Sequence, residues 1–273
     1  MEKMNLKSIF KNLKSNADWF GIRKVFESNT YRMIRDGNPQ ANSTGISHGI
    51  MVEVLKNGQF AYAASSDMSL ESIQKAINDA EIIAESSYHN PLYSFNKDVR
   101  PNNIGSYISQ RDKSHLALKD INDILFKSYE SLKVSDKIVS ASAMARITET
   151  NYHYISSDGA DIEQDFLIIG SSFDAIAQDK GITQRRTDNG RGRMFQSGYE
   201  VFEEVELTNM CERIGEQAVE LLYAEECPTE TTNLVLAPDQ MLLQIHESIG
   251  HPLEVDRILG DERNYAGWSF VKL

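Results

Sequence analysis

Two histidines five residues apart, followed closely by a proline, restrict the folding of this chain more than any other feature. The segment 246–251 holds the imidazoles of His246 and His251 and the carboxylate of Glu247, directly after an apolar helical run. Neutral imidazoles are good zinc ligands, and a carboxylate beside them can take a proton from a water that the metal activates. The segment therefore predicts metal-assisted hydrolysis.

The spacing of these histidines differs from the H-E-x-x-H arrangement, in which a four-residue spacing places both on one helix face. Five residues turn a regular helix by about 500°, which would splay the two side chains by about 140°. Gly250 lowers the cost of unusual backbone angles, and Pro252 disfavours the α region at His251 and cannot donate to a continuing helix. We therefore expect a kink, a π-bulge or a helix end at 250–251, and then a short helix with Pro252 in its first turn.

A plainer interpretation of the same residues stays open. Two histidines five apart arise by chance in many chains, and a single histidine is usually a surface or satisfied core residue. The carboxylate of Glu247 and the helix-breaking residues that follow it favour the metal site.

The segments 246–260 and 264–270 resemble the metal-binding segment of the TldD/PmbA family, in its TldD-like branch. Similarity extends over most of the chain, but only the H-E-x-x-x-H block is specific. The other resembling stretches are 35–37, 49–52 and 58–63 in the family's N-terminal sheet, and 156–159 and 190–200 in its middle portion.

The resemblance implies a zinc-dependent peptidase acting on peptides or unfolded polypeptides. By analogy, His246 and His251 are metal ligands and Glu247 is the general base. The resemblance also implies assembly with a PmbA-like partner or self-association around a chamber. An older description as modulators of DNA gyrase is attached to the family.

A third zinc ligand, a cysteine, comes in this family from a C-terminal domain well beyond the motif. The sequence reaches only Leu273, so we expect that ligand outside this chain, as in a fragment or a truncated relative. A non-catalytic assembly module that acts through protein–protein contacts is the alternative function.

The formal charge of −12 and the pI near 5.0 argue against a nucleic-acid-binding surface, since phosphate contacts need clustered lysines and arginines. The N-terminus has no continuous apolar stretch typical of a signal peptide, and no run of 18 apolar residues predicts a membrane span. We therefore expect a cytoplasmic protein.

The hydrophobic patterns predict an α+β fold, with an N-terminal two-layer unit of helix on sheet, a β-rich region with helices, and the motif helix near the C-terminus. We place two domains at 1–105 and 106–273, with one compact body as the alternative. Helices are expected over 6–15, 69–85, 114–132 and 207–225, and a connector over 90–110. Strands are expected over 19–27, 30–35, 49–55, 59–64, 138–147, 151–155, 160–169, 171–178 and 233–237, with a hairpin turn at Asn57-Gly58.

Several other side chains are weaker candidates for the metal site. Cys211 lies on an apolar helical stripe typical of core packing, and Cys227, beside a proline, is expected to be a free thiol. The stretch 190–193 lacks the pattern of a phosphate loop, so a β-turn with exposed arginines is expected. Scattered histidines, namely His48, His89, His115 and His153, are not expected to bind metal. Glu254, Asp256, Asp261 and Glu262 are expected to be mostly solvated charges on a helix face, with the alternative that one of them orients an imidazole or substitutes as a ligand.

Overall fold

The computed structural model describes residues 5–89, 91, 93–100, 102–108, 116–188, 190, 192–264 and 267–272. The chain falls into two compact units, Met1–Leu222 and Tyr223–Leu273. The first unit holds the sheet and its helices, and the second holds the short helices of the histidine motif. None of the helices in the described part is long and apolar enough to cross a membrane.

The first unit is built on one eight-stranded sheet. Its order is β3-β2-β1-β5-β6, and the outer edge of β6 pairs with three short strands, β4, β8 and β7. All pairs are antiparallel except that of β4 with β6. The strands are β1 Trp19–Arg35, β2 Asn38–Lys56, β3 Gln59–Ser65, β4 Ile104–Ile108, β5 Ile138–Ser156, β6 Asp161–Asp179, β7 Ile182–Thr187 and β8 Arg193–Phe195.

The helices of this unit cover one face of the sheet. They are α1 Leu6–Phe10, α2 Leu70–Tyr88, α3 Leu118–Leu132 and α4 Glu204–Glu220, with 3₁₀ turns at Lys97–Val99 and Tyr199–Phe202. Alternate residues of the long strands are buried beneath them, because successive side chains of a strand point to opposite faces. One core cluster lies under α1 and α2 and includes Ile22 and Val52, and the other lies under α3 and α4 and includes Ile34 and Phe173. The expected α+β fold with helix on sheet is confirmed.

Six predicted strands prove to be parts of three longer ones. The stretches 19–27 and 30–35 are both parts of β1, and β5 and β6 are likewise continuous. At the predicted break of β1, the polar residue Asn29 has one partner on its own strand and one on β5. Asn29 donates to Glu27 (2.6 Å) and accepts from Thr148 on β5 (2.7 Å), so polar side chains in mid-strand are satisfied without a turn.

Local turn chemistry was predicted correctly at the hairpin between β2 and β3. Asn57 and Gly58 both have positive φ, 53° and 75°, and join β2 to β3. That conformation is the one that favours Asn-Gly in a two-residue hairpin.

The predicted connector 90–110 contains more structure than expected. It includes a 3₁₀ turn and β4, which pairs in parallel with 161–165. Arg100 attaches this segment to the sheet. It forms an ion pair with Glu53, and its Cζ lies 4.1 Å from the ring centroid of Phe60. The proposed division at 105 stays a prediction.

Several predicted elements differ at their ends or in kind; β2, for example, begins at Asn38 rather than at residue 49. The first helix ends at Phe10 rather than near residue 15, and α4 covers Glu204–Glu220 rather than 207–225. The predicted start of α3 at Ser114 lies outside the described residues. The predicted strand 233–237 is wrong: these described residues pair with no strand, and Leu234 and Val235 are exposed.

The packing of α3 against α4 depends on Gly215. A Cβ added there would lie 2.4 Å from the carbonyl oxygen of Leu132, which is backbone and cannot rotate away. Gly215→Ala should therefore lower the free energy of unfolding by about 1–2 kcal/mol, although alanine favours helices. Gly45→Ala is the matched control, since nothing lies within 4 Å of its added Cβ. Urea unfolding of both variants measures the difference, and equal stabilities would contradict the prediction.

Candidate metal centre

The histidine motif occupies a helix that changes its hydrogen-bonding pattern. In the second unit, α5 covers Pro238–Ile245, a π-helical turn covers His246–Gly250, and a 3₁₀ turn covers His251–Leu253. The backbone N–H of His251 donates to the carbonyl of His246. This bond spans five residues, so it widens the turn by one residue and brings position 251 back over position 246.

The wide turn brings the predicted side chains together. The imidazole rings of His246 and His251 lie 4.4 Å apart between centroids, at an interplanar angle of 74°. One potential ligand atom from each of His246, Glu247 and His251 lies within 4.8 Å of the others. Among the described residues, no other group of three or more His, Cys, Asp or Glu side chains converges in this way. Of the three expected forms of the break, the structure has the π-bulge, and it brings the two histidines close together.

Fewer features cause the helix break than the sequence suggested. Gly250 has ordinary helical angles (φ −57°, ψ −62°), so its conformational freedom is not used. The expectation that Pro252 moves His251 out of the α region is wrong, since His251 stays at φ −59° and ψ −43°. Pro252 acts through its missing N–H, which cannot bond to the carbonyl four residues earlier. As expected, it lies in the first turn of the next short helix.

His251 is held in orientation by acidic neighbours. Its Nδ1 is 2.8 Å from Oε1 of Glu254, and its Nε2 is 3.7 Å from Oε2 of Glu247. The hydrogen bond with His251 is the largest cause that lowers the pKa of Glu254. Of the four acidic residues considered from sequence, Glu254 is the one that contacts an imidazole. Because Nδ1 is engaged by Glu254, Nε2 faces the side on which Glu247 lies.

A buried arginine supports this pair. Arg257, which is 4% exposed, places its Nε 2.9 Å from Oε2 of Glu254. The sequence analysis did not include Arg257. This residue lies on α6 (Val255–Leu259), three residues after Glu254, which is the N-cap of that helix, and a spacing of three residues is typical of an ion pair.

The chain after α6 folds back onto the motif. Gly260 ends α6 with φ +85°, and a Cβ there would lie 2.5 Å from the ring of Trp268. The hydroxyl of Ser269 donates to the carbonyl of Pro252 at 2.5 Å. Of the family-like stretch 264–270, Tyr265 and Ala266 lie outside the described residues. The described part thus contacts the end of α6 and the 3₁₀ turn that follows the wide turn.

The weaker candidates do not join this site. Cys211 is buried in the core, and burial raises the pKa of its thiol to about 12; Cys227 is an exposed free thiol, as predicted. His153 contacts Asp161 at 2.9 Å, while His115 lies outside the described residues. Gly190 and Gly192 have positive φ, as in a turn, but Arg191 between them is not described.

Two family models match separate parts of the chain. The PmbA/TldA metallopeptidase domain 1 matches residues 22–84, and the PmbA/TldA metallopeptidase central domain matches residues 111–222. A curated metalloprotease of Methanocaldococcus jannaschii is 27% identical over 263 residues, which are 95% of this chain and 56% of the relative. The chain therefore spans about half the length of the curated relatives it matches.

Solved structures share the fold at low identity. A candidate modulator of a DNA gyrase from Thermotoga maritima aligns with a TM-score of 0.59 and 16% identity, over 77% of this chain and 46% of its own. TldE from Thermococcus kodakarensis aligns with a TM-score of 0.51 and 15% identity, over 80% and 46%. These similarities support the architecture of the first unit's sheet and helices.

Replacing Pro252 tests what breaks the helix. Pro252→Ala restores a backbone donor, so we expect a regular helix through 251 and separated imidazoles. Gly250→Ala is the control, because its angles suit alanine and the nearest atom to an added Cβ is 3.9 Å away. Nuclear Overhauser effects between the His246 and His251 rings, in isotope-labelled protein, should persist in the control and disappear in Pro252→Ala. Persistence in both variants would show that Pro252 does not set the turn.

Proposed function

The chain belongs to the TldD/PmbA family, and we propose that it carries the metal-binding part of a zinc-dependent peptidase of the TldD type. In this proposal His246 and His251 are zinc ligands and Glu247 is the general base. The substrates are peptides or unfolded polypeptides. The convergence of two imidazoles and one carboxylate on the wide turn is the observation that carries the proposal.

The chemistry of these donors fits zinc. Zinc prefers imidazole nitrogen, thiolate sulfur and carboxylate oxygen, and catalytic sites use three protein ligands. The ligand atoms of this group are close enough for small side-chain rotations to bring them to one ion. Glu254 on Nδ1 of His251 fixes the ring and favours Nε2 as the coordinating atom. The third protein ligand implied by the family resemblance, a cysteine, is expected outside this chain.

Bound zinc would supply Lewis acidity, polarising the scissile carbonyl of a peptide. The chain's own residues would move the protons. Glu247 is about half exposed and 3.7 Å from His251, so water can reach its carboxylate. It would accept the proton of the attacking water and return it to the leaving amine. The Glu254–Arg257 pair would keep His251 in place during these transfers.

The relatives' names favour a peptidase over the alternative of a non-catalytic assembly module. A PmbA-like partner or a second copy of the chain is the proposed assembly partner, on the strength of the resemblance alone. The expectation of a cytoplasmic protein without nucleic-acid contacts stays a prediction.

Glu247→Gln tests the proposed general base. Glutamine keeps the size of the side chain but cannot accept the proton, so we expect peptide cleavage to fall by about 10²–10⁴-fold while zinc stoichiometry is unchanged. Asp239→Asn, which removes another acid on the same helix, should leave cleavage unchanged. Metal analysis and a peptidase assay, with the family's C-terminal portion supplied, make the measurement. Unchanged cleavage in Glu247→Gln, or a purified chain that takes up no zinc under these conditions, would refute the proposal.

Glu254→Ala tests the support of His251. Loss of a carboxylate that orients a ligating histidine lowers metal affinity by about 10–100-fold. Glu254→Gln should lower zinc affinity less, because its amide oxygen still accepts a hydrogen bond from Nδ1 of His251. Competition with a chromophoric zinc chelator gives the affinities, and Glu230→Gln, at an exposed site, controls for net charge. Equal affinities in all four proteins would rule out this role for Glu254.

A further inference from the structure

A cavity of about 660 Å³ lies in the first unit, between α4, β8 and the 3₁₀ turn Tyr199–Phe202. Its volume is in the range of pockets that hold small ligands. Its lining residues in the described part of the chain all belong to the first unit, and none of them is His246, Glu247 or His251.

One face of α4 gives this cavity an apolar floor with opposite charges at its two ends. Glu206, Met210 and Arg213 recur at helical spacing, so they share that face. Met210 and the neighbouring Leu207 are buried and form the floor, whereas Glu206 and Arg213 are exposed above it. A ligand lying along α4 would therefore contact an acid, an apolar patch and a base in that order.

Neither charged residue on this face of α4 is neutralised by an ion pair in the described part of the chain: no carboxylate pairs with Arg213, and no cation pairs with Glu206. The opposite wall adds a second guanidinium, that of Arg193, whose Nε lies 4.0 Å from Oδ2 of the buried Asp188. Asp188 is fixed by the backbone N–H of Phe173, at 2.7 Å. Arg193 and Asp188 are thus within ion-pair distance but not hydrogen-bonded through Nε and Oδ2.

Sheet register places both arginines at the same end. On β8, Arg193 lies opposite Ser171 of β6, and the next strand along that edge is β7. From β7, Arg186 donates to Gln217 of α4 at 3.1 and 3.2 Å. The later turns of α4 therefore lie toward β7, on the side of Arg193 rather than that of Phe195. Arg213 and Arg193 form the basic end, and Glu206 forms the acidic end.

The distance between these ends suits a short peptide. Arg213 follows Glu206 by seven positions, which is a rise of about 10 Å along the helix, and three extended residues have about the same length. We propose that this cavity binds peptides of about three residues with free termini and an apolar side chain. Arg193 and Arg213 would bind the carboxylate, Glu206 the ammonium, and Met210 the side chain. This site goes beyond the proposed zinc chemistry, although products of a peptidase would be ligands of this class.

Calorimetric titration with the tripeptide alanyl-leucyl-alanine tests the proposal. The titration is run in EDTA, so that neither metal binding nor cleavage enters, and a failure of the peptidase proposal leaves this result unaffected. We expect a dissociation constant below about 1 mM. Acetylation of the amino terminus or amidation of the carboxyl terminus should each weaken binding at least about tenfold. Absence of binding, or equal binding of the blocked peptides, overturns the proposal.

Matched variants assign the two ends. Arg213→Gln should weaken the free tripeptide about tenfold or more but leave the amidated peptide unaffected, because that peptide has no carboxylate to lose. Glu206→Gln should likewise weaken the free tripeptide about tenfold or more but leave the acetylated peptide unaffected, because that peptide has no ammonium group to lose. Lys119→Gln and Glu216→Gln are exposed controls of the same charge change, outside the cavity. Equal losses in a control and its cavity variant would also overturn the proposal.

Discussion

One backbone hydrogen bond, from the N–H of His251 to the carbonyl of His246, decides whether this chain can present both imidazoles to one metal ion. In a regular helix the two side chains would diverge by about 140°. The five-residue bond removes that divergence without unusual backbone angles, as the ordinary values at Gly250 and His251 show. The proposed roles of Glu247 and Glu254 both depend on this turn, because each acts on a ring that the turn has placed.

The first unit depends on a different constraint, the burial of one face of a sheet with very long strands. Strands of 17 and 19 residues extend past any single helix, so two groups of helices share the face, and each covers its own core cluster. Polar residues can then occupy mid-strand positions, as Asn29 does with Glu27 on its own strand and Thr148 on β5 as partners. The close approach of α3 and α4 at Gly215 fixes how these two helices pack together. One face of α4 in turn forms the floor of the proposed peptide cavity.

Features with short-range causes could be predicted from the sequence, and those with long-range causes could not. The Asn57-Gly58 turn and the amphipathic helix α2 follow from neighbouring residues, and so does the break at Pro252. The continuity of β1 could not be inferred, because Asn29 is satisfied by Thr148, which lies far away in sequence. Likewise, 233–237 has an apolar β-like pattern, but a strand needs a partner and the described chain supplies none. The role of Arg257 was not predicted, because the sequence left open which of four acidic residues would contact an imidazole.

The same distinction separates the two proposed sites. The contacts that shape the metal centre, from His246 to the bond between Ser269 and Pro252, join residues within a short stretch of the second unit. The peptide cavity instead needs β8 in register with β6, Asp188 held by Phe173, and α4 anchored to β7 through Gln217. Loss of long-range packing in the first unit would therefore disrupt the cavity directly. The geometry of the histidines is fixed by bonds that do not involve the sheet, because a local turn needs only its own backbone.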